Sequence, residues 1–441
     1  MQDDYALGDP LFAVDALRRI ETQAALRLGD AAELMRRAGQ SAWQVLLAHW
    51  PQARRIVVVC GPGNNGGDGY ELACHAHESG RDVTVVRLPA HAPHGRLAID
   101  AAGRYTGTGG RVVDSGERLS EADLIVDAMF GIGLSRAPEA DAAGLIDAIN
   151  AAGVPVLALD VPSGVDADSG AVPGAAVRAE RTVEFIVAKA GLATGRALDH
   201  AGICKVAGLG LIADDFAGTS PRSTRLQAAD LMRWLQPRRR DTHKGGNGRV
   251  LCIGGDHGHG GAILLTAEAA LRCGAGLVDV VTRPTHVPAL LARRPEAMVH
   301  GVDDAALSDS LLDGCDVIAI GPGLGQEGWG RRLFEQALCS DRPLVLDADA
   351  LNLLARKEAR PGAQAVLTPH PGEAARLLGR TTQEVQADRF RAAEELACRY
   401  GCVVVLKGAG TVIAAPGERP RVLAAGNPGM AVGAWGTCCV A

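Results

Sequence analysis

Ile56-Val57-Val58-Val59-Cys60-Gly61-Pro62-Gly63-Asn64-Asn65-Gly66-Gly67-Asp68-Gly69 runs an apolar strand straight into a glycine-rich loop, and the stretch Tyr70 to His77 behind it reads as a helix. A loop that leaves the carboxyl end of a buried strand and opens a helix presents free backbone N–H groups and the positive end of a helix dipole, which suit a phosphate. The spacing Gly61-x-Gly63-x-x-Gly66 satisfies the dinucleotide fingerprint, whose glycines serve a tight turn and close approach to a pyrophosphate. The second half of the fingerprint fails, because the next strand ends in Arg87-Leu88 where an NAD-binding fold places an acid for the ribose hydroxyls. Asn64, Asn65 and Asp68 add side-chain oxygens to the loop, and an aspartate beside a phosphate calls for a cation as well.

Around that loop the chain runs to 441 residues, which suggests two domains of about 200 residues each. Hydrophobic content of 47% with 56 glycines, 22 prolines and 3% aromatics reads as a compact α/β enzyme rather than a disordered or fibrous chain. A net charge of −6 gives no reason to expect nucleic acid or an anionic membrane as partner. The 11 cysteines lack metal-ligand spacing; Cys60, Cys252, Cys273 and Cys315 lie in or beside apolar runs and are expected as buried thiols, and the adjacent Cys438-Cys439 makes no zinc site. The acidic start Met1-Gln2-Asp3-Asp4 is unlike a secretory signal and no apolar run approaches the roughly 20 residues of a membrane span, so a cytoplasmic protein is expected.

Residues 13–50 read as two helices, the second with Leu34, Met35, Ala38, Ala42 and Leu46 on one face. Strands are expected at Ile56 to Val59, Val83 to Leu88, Leu124 to Ala128, Val156 to Leu159 and Thr182 to Val187, alternating with helical or polar intervals. That alternation means a parallel sheet covered on both faces, with ligand sites at the carboxyl ends of its strands. The stretch Ala213 to Arg225 is the best linker, after which Arg249 to Ile253, Leu277 to Thr282, Val317 to Ile320, Leu344 to Leu346, Ala365 to Leu367 and Val403 to Leu406 form a second alternation. Thr381 with Glu384 makes a capping box for a helix running towards Tyr400.

Three strand ends in the first half carry oxygens: Asn64, Asn65 and Asp68 after the first, Asp127 with Gly131-Ile132-Gly133 after the third, and Asp160-x-Pro162-Ser163-Gly164 after the fourth. Such oxygens suit a hard cation, a monovalent ion at least as well as magnesium, although Asp127 and Asp160 also suit plain loop caps. The glycine loop, the run Val126-Asp127-Ala128-Met129-Phe130-Gly131-Ile132-Gly133-Leu134 and the run Leu159-Asp160-Val161-Pro162-Ser163-Gly164-Val165-Asp166-Ala167-Asp168-Ser169-Gly170 resemble the NAD(P)H-hydrate epimerase family. The resemblance implies a Rossmann-like, three-layer αβα domain over residues 1–215 that interconverts the R and S forms of hydrated NADH and NADPH. It implies potassium held by Asn65, Asp127 and Ser163. It also implies a hydrated dinucleotide lined by Asn64, Asn65, Gly66, Gly67, Asp68, Gly131, Ile132, Gly133, Leu134, Ser135, Arg136, Ala137 and Asp160. Epimerisation at C6 needs help with proton transfer as the hydroxyl leaves or the ring opens, and Asp160 is the carboxylate expected to give it. Lys189 is its candidate catalytic partner, at a place where a lone lysine is more often solvated.

The second half offers His243-Lys244-Gly245-Gly246-Asn247-Gly248, Gly254-Gly255-Asp256, Gly321-Pro322-Gly323-Leu324-Gly325, Leu346-Asp347-Ala348-Asp349, Thr368-Pro369-His370-Pro371-Gly372-Glu373 and Lys407-Gly408-Ala409-Gly410-Thr411. Glycine loops after strands, one with a lysine, together argue for a nucleotide. These motifs resemble the ADP-dependent NAD(P)H-hydrate dehydratase family, which implies a ribokinase-like α/β domain over residues 222–441. By that resemblance Ala262, Gly323 and His370 contact the hydrated cofactor, Lys407, Gly408, Ala409, Gly410 and Thr411 contact ADP, and Gly436 belongs to an anion hole. With magnesium present, ADP is spent to AMP and phosphate to make the C6 hydroxyl leave. Both resemblances on one chain imply a bifunctional repair enzyme acting on small molecules, an isomerase and a lyase, and a homo-oligomer.

The segment after Met430 departs from the family, with Thr437 where a catalytic aspartate belongs. A threonine cannot serve as the base a carboxylate supplies, so dehydration is expected to be impaired. Codons for Gly433 to Cys439 can be chosen so that a shifted frame reads Gly-Met-Gly-Asp-Val-Leu, the family's segment, and an altered reading frame with an incomplete dehydratase domain is the expectation. Two competing readings are an NADP-linked Rossmann dehydrogenase using Gly61 to Gly66 and Arg87, and a non-catalytic nucleotide-binding protein.

Overall fold

The structure, a computed structural model, describes residues 8–114, 119–134, 136–304, 306–357 and 359–430. The chain divides into two compact units that meet at Arg225 and Leu226. Unit 1 carries β1 (Asp9–Leu11), α1 (Val14–Leu28), α2 (Ala31–His49), β2 (Arg55–Cys60), α3 (Asn64–Glu78), β3 (Asp82–Val86), α4 (Arg96–Gly107) and β4 (Arg111–Val113). It continues with β5 (Leu124–Ala128), α5 (Ala140–Ala151), β6 (Val156–Leu159), β7 (Arg181–Phe185), β8 (Ile203–Ala207) and β9 (Ser223–Arg225). Its main sheet has the order β4-β3-β2-β5-β6-β7-β8 and is parallel throughout.

Alternate residues of β2 go to opposite faces. Val58 and Cys60 join Ile20, Met35, Ala38, Leu46, Leu72 and Tyr105 from α1 to α4. Val57 and Val59 join Leu145, Ile146 and Ile149 of α5. A sheet buried on both faces explains why its strands are continuous β-branched runs. The strand order reverses between β2 and β5, and at such a reversal a crevice opens beyond the carboxyl ends.

The glycines of the opening stretch do different work from the turn-making expected of them. Helix α3 starts at Asn64, so Gly66, Gly67 and Gly69 lie inside it, and none of them is among the glycines with positive φ. A methyl group on Gly61 would overlap the carbonyl oxygen of Met129, and one on Gly66 would overlap that of Gly61. On Gly67 it would lie 2.5 Å from Met35 Cε, and on Gly69 2.5 Å from Ala128 Cβ. These residues are glycine because the helix is packed with its backbone against the sheet and α2. The cost of glycine in a helix, about 1 kcal/mol each, is offset by that contact.

Unit 2 carries β10 (Arg249–Ile253), α6 (Gly260–Cys273), β11 (Leu277–Thr282), α7 (Val287–Arg293), β12 (Met298–Gly301), α8 (Asp309–Gly314), β13 (Val317–Ile320), α9 (Gly328–Cys339), β14 (Leu344–Leu346) and α10 (Ala348–Lys357). After these come β15 (Val366–Leu367), α11 (Pro371–Leu378), α12 (Thr382–Ala387), α13 (Arg389–Tyr400), β16 (Val403–Leu406), β17 (Thr411–Ala414) and β18 (Arg421–Leu423). Its strands lie in the order β18-β17-β16-β15-β14-β13-β10-β11-β12, parallel from β16 to β12 and antiparallel beyond β16.

Several expectations need correction. The helix from the Thr381–Glu384 capping box towards Tyr400 is two helices, because Asp388 leaves helical conformation and accepts from Arg391 N–H at 2.9 Å to cap α13. Strand β7 stops at Phe185, since Ile186 turns to φ 67°. The stretch 213–225 is no loose linker: Asp215 is gripped by Arg27 at 2.8 Å, and β9 pairs with β1. Cys273 is exposed at the end of α6, unlike Cys60, Cys252 and Cys315. Among the described residues no helix is long and apolar enough to cross a membrane.

Replacing Gly66 with alanine should cost about 1–3 kcal/mol in urea unfolding of unit 1, as overpacking does. Gly133 has open space around it, so Gly133→Ala should change stability by less than about 0.5 kcal/mol.

Candidate active sites

A cleft of about 820 Å³ opens in unit 1, lined by Arg18, Glu21, Asn64, Asn65, Asp68, Phe130 and Asp160 among others. Gly131, Ile132, Gly133, Leu134 and Arg136 also line it. Its size suits a nucleotide-sized ligand. Gly66 and Gly67 serve packing, Ala137 lies by Gly174 outside the lining, and Ser135 lies outside the described residues.

Asp160 follows β6 with φ 65°, a left-handed conformation that aspartate tolerates better than most side chains. The turn is fixed by its N–H, which donates to Val183 O at 2.7 Å. Its Oδ1 lies 2.5 Å from Lys189 Nζ and accepts from Phe185 N–H at 3.3 Å. Lys189 is 1% exposed, so it is no solvated lysine. Its ammonium also donates to Phe185 O at 2.8 Å, and its backbone N–H donates to Glu184 Oε2 at 2.6 Å. The segment that carries it is held by Phe12, whose N–H donates to Ala188 O at 2.8 Å and whose carbonyl accepts from Ala190 N–H at 3.0 Å. A buried ammonium needs this carboxylate, because isolated charge out of water is costly.

Asp127, at the end of β5, is fully buried and accepts from Ser163 Oγ at 2.6 Å and Ser163 N–H at 2.8 Å. Burial pushes its carboxyl up to about 6 against the pull of those hydrogen bonds. Phe130 N–H donates to Ser163 Oγ at 2.8 Å, which ties the Asp127–Ser163 pair to the loop 129–131 on the cleft wall. Asn65 faces that loop: a methyl on Gly131 would lie 3.2 Å from Asn65 Cβ and 3.2 Å from Asp160 Oδ2. Both polar atoms of the buried Asn65 amide lack a hydrogen-bond partner among the described residues. An unpaired buried amide in a cleft is costly unless a ligand or ion meets it.

Two further acids share the cleft. Burial, and after it the charge of Asp160, pushes Asp68 well above the usual carboxylate range. Burial and then Asp160 push Glu21 up to about 7, against Lys189 and Arg18. Glu21 was missed in the sequence. The available signal was an acid at the core-facing spacing of α1, between buried Leu17, Ile20 and Ala24.

In unit 2 the ends of five adjacent parallel strands, β16, β15, β14, β13 and β10, carry the glycine and lysine motifs. Gly323 has φ 60°, and a methyl there would lie 2.6 Å from His259 Cβ and 3.2 Å from Ala262 Cβ, so Gly323 and Ala262 are brought together. Asp256 N–H donates to Gly323 O at 2.6 Å, and Arg283 Nε donates to Asp256 Oδ1 at 2.7 Å. Lys407 Nζ lies 2.5 Å from the buried Asp347 Oδ1, which also accepts from Thr368 Oγ1 at 2.9 Å. His370 Nδ1 accepts from Gly372 N–H at 3.0 Å, and its Nε2 lies 3.4 Å from Glu373 Oε1. Burial foremost, then the Lys407 and Arg376 charges, lowers the His370 imidazole, while burial raises Glu373 to about 7. Gly408, Ala409 and Thr411 reach the surface or near it. Beneath their loop the buried Arg389 donates from Nη2 to Leu406 O and Lys407 O at 3.1 Å each. Gly436 and Thr437 lie outside the described residues, as do Cys438 and Cys439.

Residues 31–191 match the family profile described as YjeF-related protein N-terminus, and residues 250–438 match that of NAD(P)H-hydrate dehydratase. The bifunctional NAD(P)H-hydrate repair enzyme Nnr of Escherichia coli is 46% identical over 438 residues, covering 99% of this chain and 84% of the relative. Its counterpart in Coxiella burnetii is 47% identical over 405 residues, covering 92% and 83%. The ADP/ATP-dependent NAD(P)H-hydrate dehydratase of Bacillus subtilis, solved with ATP and Mg2+, is 33% identical over 47% of this chain and 74% of that one, with a TM-score of 0.42.

Lys189→Met should destabilise unit 1 by about 3–5 kcal/mol, because it strands the Asp160 carboxylate in the interior. Adding Asp160→Asn should recover part of that loss, and a double-mutant cycle by chemical denaturation measures the coupling.

Proposed function

This chain belongs to the bifunctional NAD(P)H-hydrate repair enzymes, and on that premise we propose how its own residues carry out the work. Unit 1 interconverts the R and S forms of hydrated NADH and NADPH, and unit 2 is the ADP-dependent dehydratase of the S form. The observation that carries the assignment in unit 1 is the buried Asp160–Lys189 pair opening onto the same cleft as the unpartnered Asn65 amide. Nothing in that cleft favours a dehydrogenase, and Arg87 is turned to Asp114 at 3.4 Å.

In this reading the hydrated nicotinamide enters the cleft with its C6 carbon towards Asp160. Lys189 fixes that carboxyl in place, so it can take a proton as water or the ring nitrogen re-forms its bond at C6. The N-terminal end of α3 offers backbone N–H groups to the pyrophosphate. Asn65, Asp127 and Ser163 supply oxygen donors that fit potassium: a buried amide oxygen without a partner, a buried carboxylate and a hydroxyl. Bound there, potassium would supply fixed positive charge beside the dinucleotide.

In unit 2, Ala262, Gly323 and His370 hold the hydrated ring and Lys407, Gly408, Ala409, Gly410 and Thr411 hold the nucleotide, with Asp347 and Arg389 fixing the lysine and its loop. Magnesium would neutralise phosphate charge as the nucleotide is spent. Thr437 stands where the family's base belongs, so dehydration by this chain is impaired while epimerisation is retained. The protein works in the cytoplasm as a homo-oligomer.

Asp160→Asn should slow epimerisation by about 100-fold or more, and because it leaves the buried Lys189 ammonium without its carboxylate it should also cost about 3–5 kcal/mol of stability; chromatographic separation of the two epimers reads the rate of the folded variant, and a wild-type rate would pass the role to Lys189. Asp127→Ala should weaken epimerisation and remove any stimulation by potassium, and unchanged potassium dependence would remove the cation from the cleft. Hydrated NADH incubated with the 441-residue chain, ADP and Mg2+ should regain little reduced-ring absorbance, whereas a chain reading Gly-Met-Gly-Asp-Val-Leu over positions 434–439 and continuing into the helices that follow this segment in the family should restore it. Release of NADH and AMP at a normal rate by the chain as it stands would move the base away from position 437.

A further inference from the structure

Three carboxyl groups line the cleft of unit 1, and they come from different elements: Glu21 from α1, Asp68 from α3 and Asp160 from the end of β6. The buried ammonium of Lys189, whose charge acts on Glu21 and Asp68, is committed to Asp160 at 2.5 Å. Arg18, one turn before Glu21 on α1, is exposed. The Glu21 side chain makes no hydrogen bond or ion pair among the described residues. The groups that act on its charge are Asp160, Lys189, Arg18 and Asp68.

Carboxyls crowded into one cleft resist ionising together. Asp160 is the ammonium's partner at 2.5 Å, and Asp68 and Glu21 share the cleft with that pair. Burial, and after it the charges of Asp160 and Glu21, holds Asp68 well above the usual carboxylate range. Glu21, near neutrality at about 7, both holds and releases one, which is the property a proton donor needs at physiological pH.

We propose that Glu21 is the second acid–base group of the epimerase, giving a proton to the departing C6 hydroxyl while Asp160 takes one from the water that adds to the opposite face. The proposal rests on the assignment of this cleft to epimerisation. The C6–O bond breaks with its electron pair on oxygen, Glu21 supplies the proton that makes water, and the N1 lone pair closes an N1=C6 iminium. Water then adds to C6 from the other face, the N1=C6 pair returns to nitrogen, and the excess proton goes to Asp160. Transfer of that proton back to Glu21 through the cleft restores the starting state, with no oxidant or co-reactant consumed. Inversion at one carbon needs a donor and an acceptor held independently, and Glu21 on α1 and Asp160 behind β6 come to the cleft from separate elements.

The test is the pH–rate profile of epimerisation measured on the full chain. Wild type should lose activity as pH rises through about 7, where Glu21 gives up its proton. Glu21→Gln should be slower by about 100-fold or more at pH 6 and flat between pH 6 and 8. Glu21→Asp should be slow yet keep the falling limb. Thermal melting supplies a readout independent of catalysis. A neutral Glu21 favours the folded state, and that contribution fades as pH rises through its raised value, so wild type should lose melting temperature from pH 6 to 8 more steeply than Glu21→Gln. A Glu21→Gln variant with the wild-type rate and profile overturns the proposal. If Asp160→Asn is slow in the same assay, the cleft assignment stands without Glu21; if it is also unchanged, the cleft assignment falls too.

Discussion

An ammonium group buried at the carboxyl edge of a parallel sheet has to be answered by a carboxylate, and the Lys189–Asp160 pair sets the terms for the rest of unit 1. Lys189 reaches its place only because the segment behind β7 is pinned by Phe12 and by the carboxylate of Glu184. Asp160 reaches its place by adopting a left-handed backbone that most side chains avoid. The pair is therefore assembled from the N-terminal segment, two strand ends and a strained turn. Chemistry and folding share the same contacts there, as they do at Asp347 and Lys407 in unit 2.

The two units solve one problem in two ways. Both are parallel sheets whose loops gather beyond the carboxyl ends, as open α/β sheets do around ligands. Unit 1 concentrates carboxyls and an unpaired amide in a cleft suited to moving protons and holding a monovalent ion. Unit 2 spreads glycine loops over adjacent strand ends and fixes a lysine on an acid, an arrangement suited to phosphate.

Much of the sheet architecture was legible because strands buried on both faces leave continuous runs of Val, Ile and Leu, as at Ile56 to Val59 and Val317 to Ile320. Short or half-exposed strands such as Arg111–Val113 and Ile203–Ala207 leave no such run and went unseen. Asp160 could be picked out as the acid after a strand. The burial of Lys189 could not, since it depends on Phe12, far away in sequence, and a lone lysine carries no mark of what covers it. Glu21 lay on the amphipathic stripe of α1, where an acid is easily taken for a surface residue. Arg389 and its grip on the Lys407 loop had no sequence signal. The helix break at Asp388 was hidden because the Thr381 cap was right and the residues beyond it are good helix formers.

The close seating of α3 on the sheet decides which positions of this cleft tolerate a new side chain. Positions 61 and 66 meet backbone carbonyl oxygens at once, so a side chain there costs stability before it can alter ligand choice. Positions 63 and 133, at the rim of the same cleft, have open space around them. New ligand preference can be gained at those rim positions with the scaffold untouched, and an attempt to reshape the pocket by directed evolution would harvest its useful variants there.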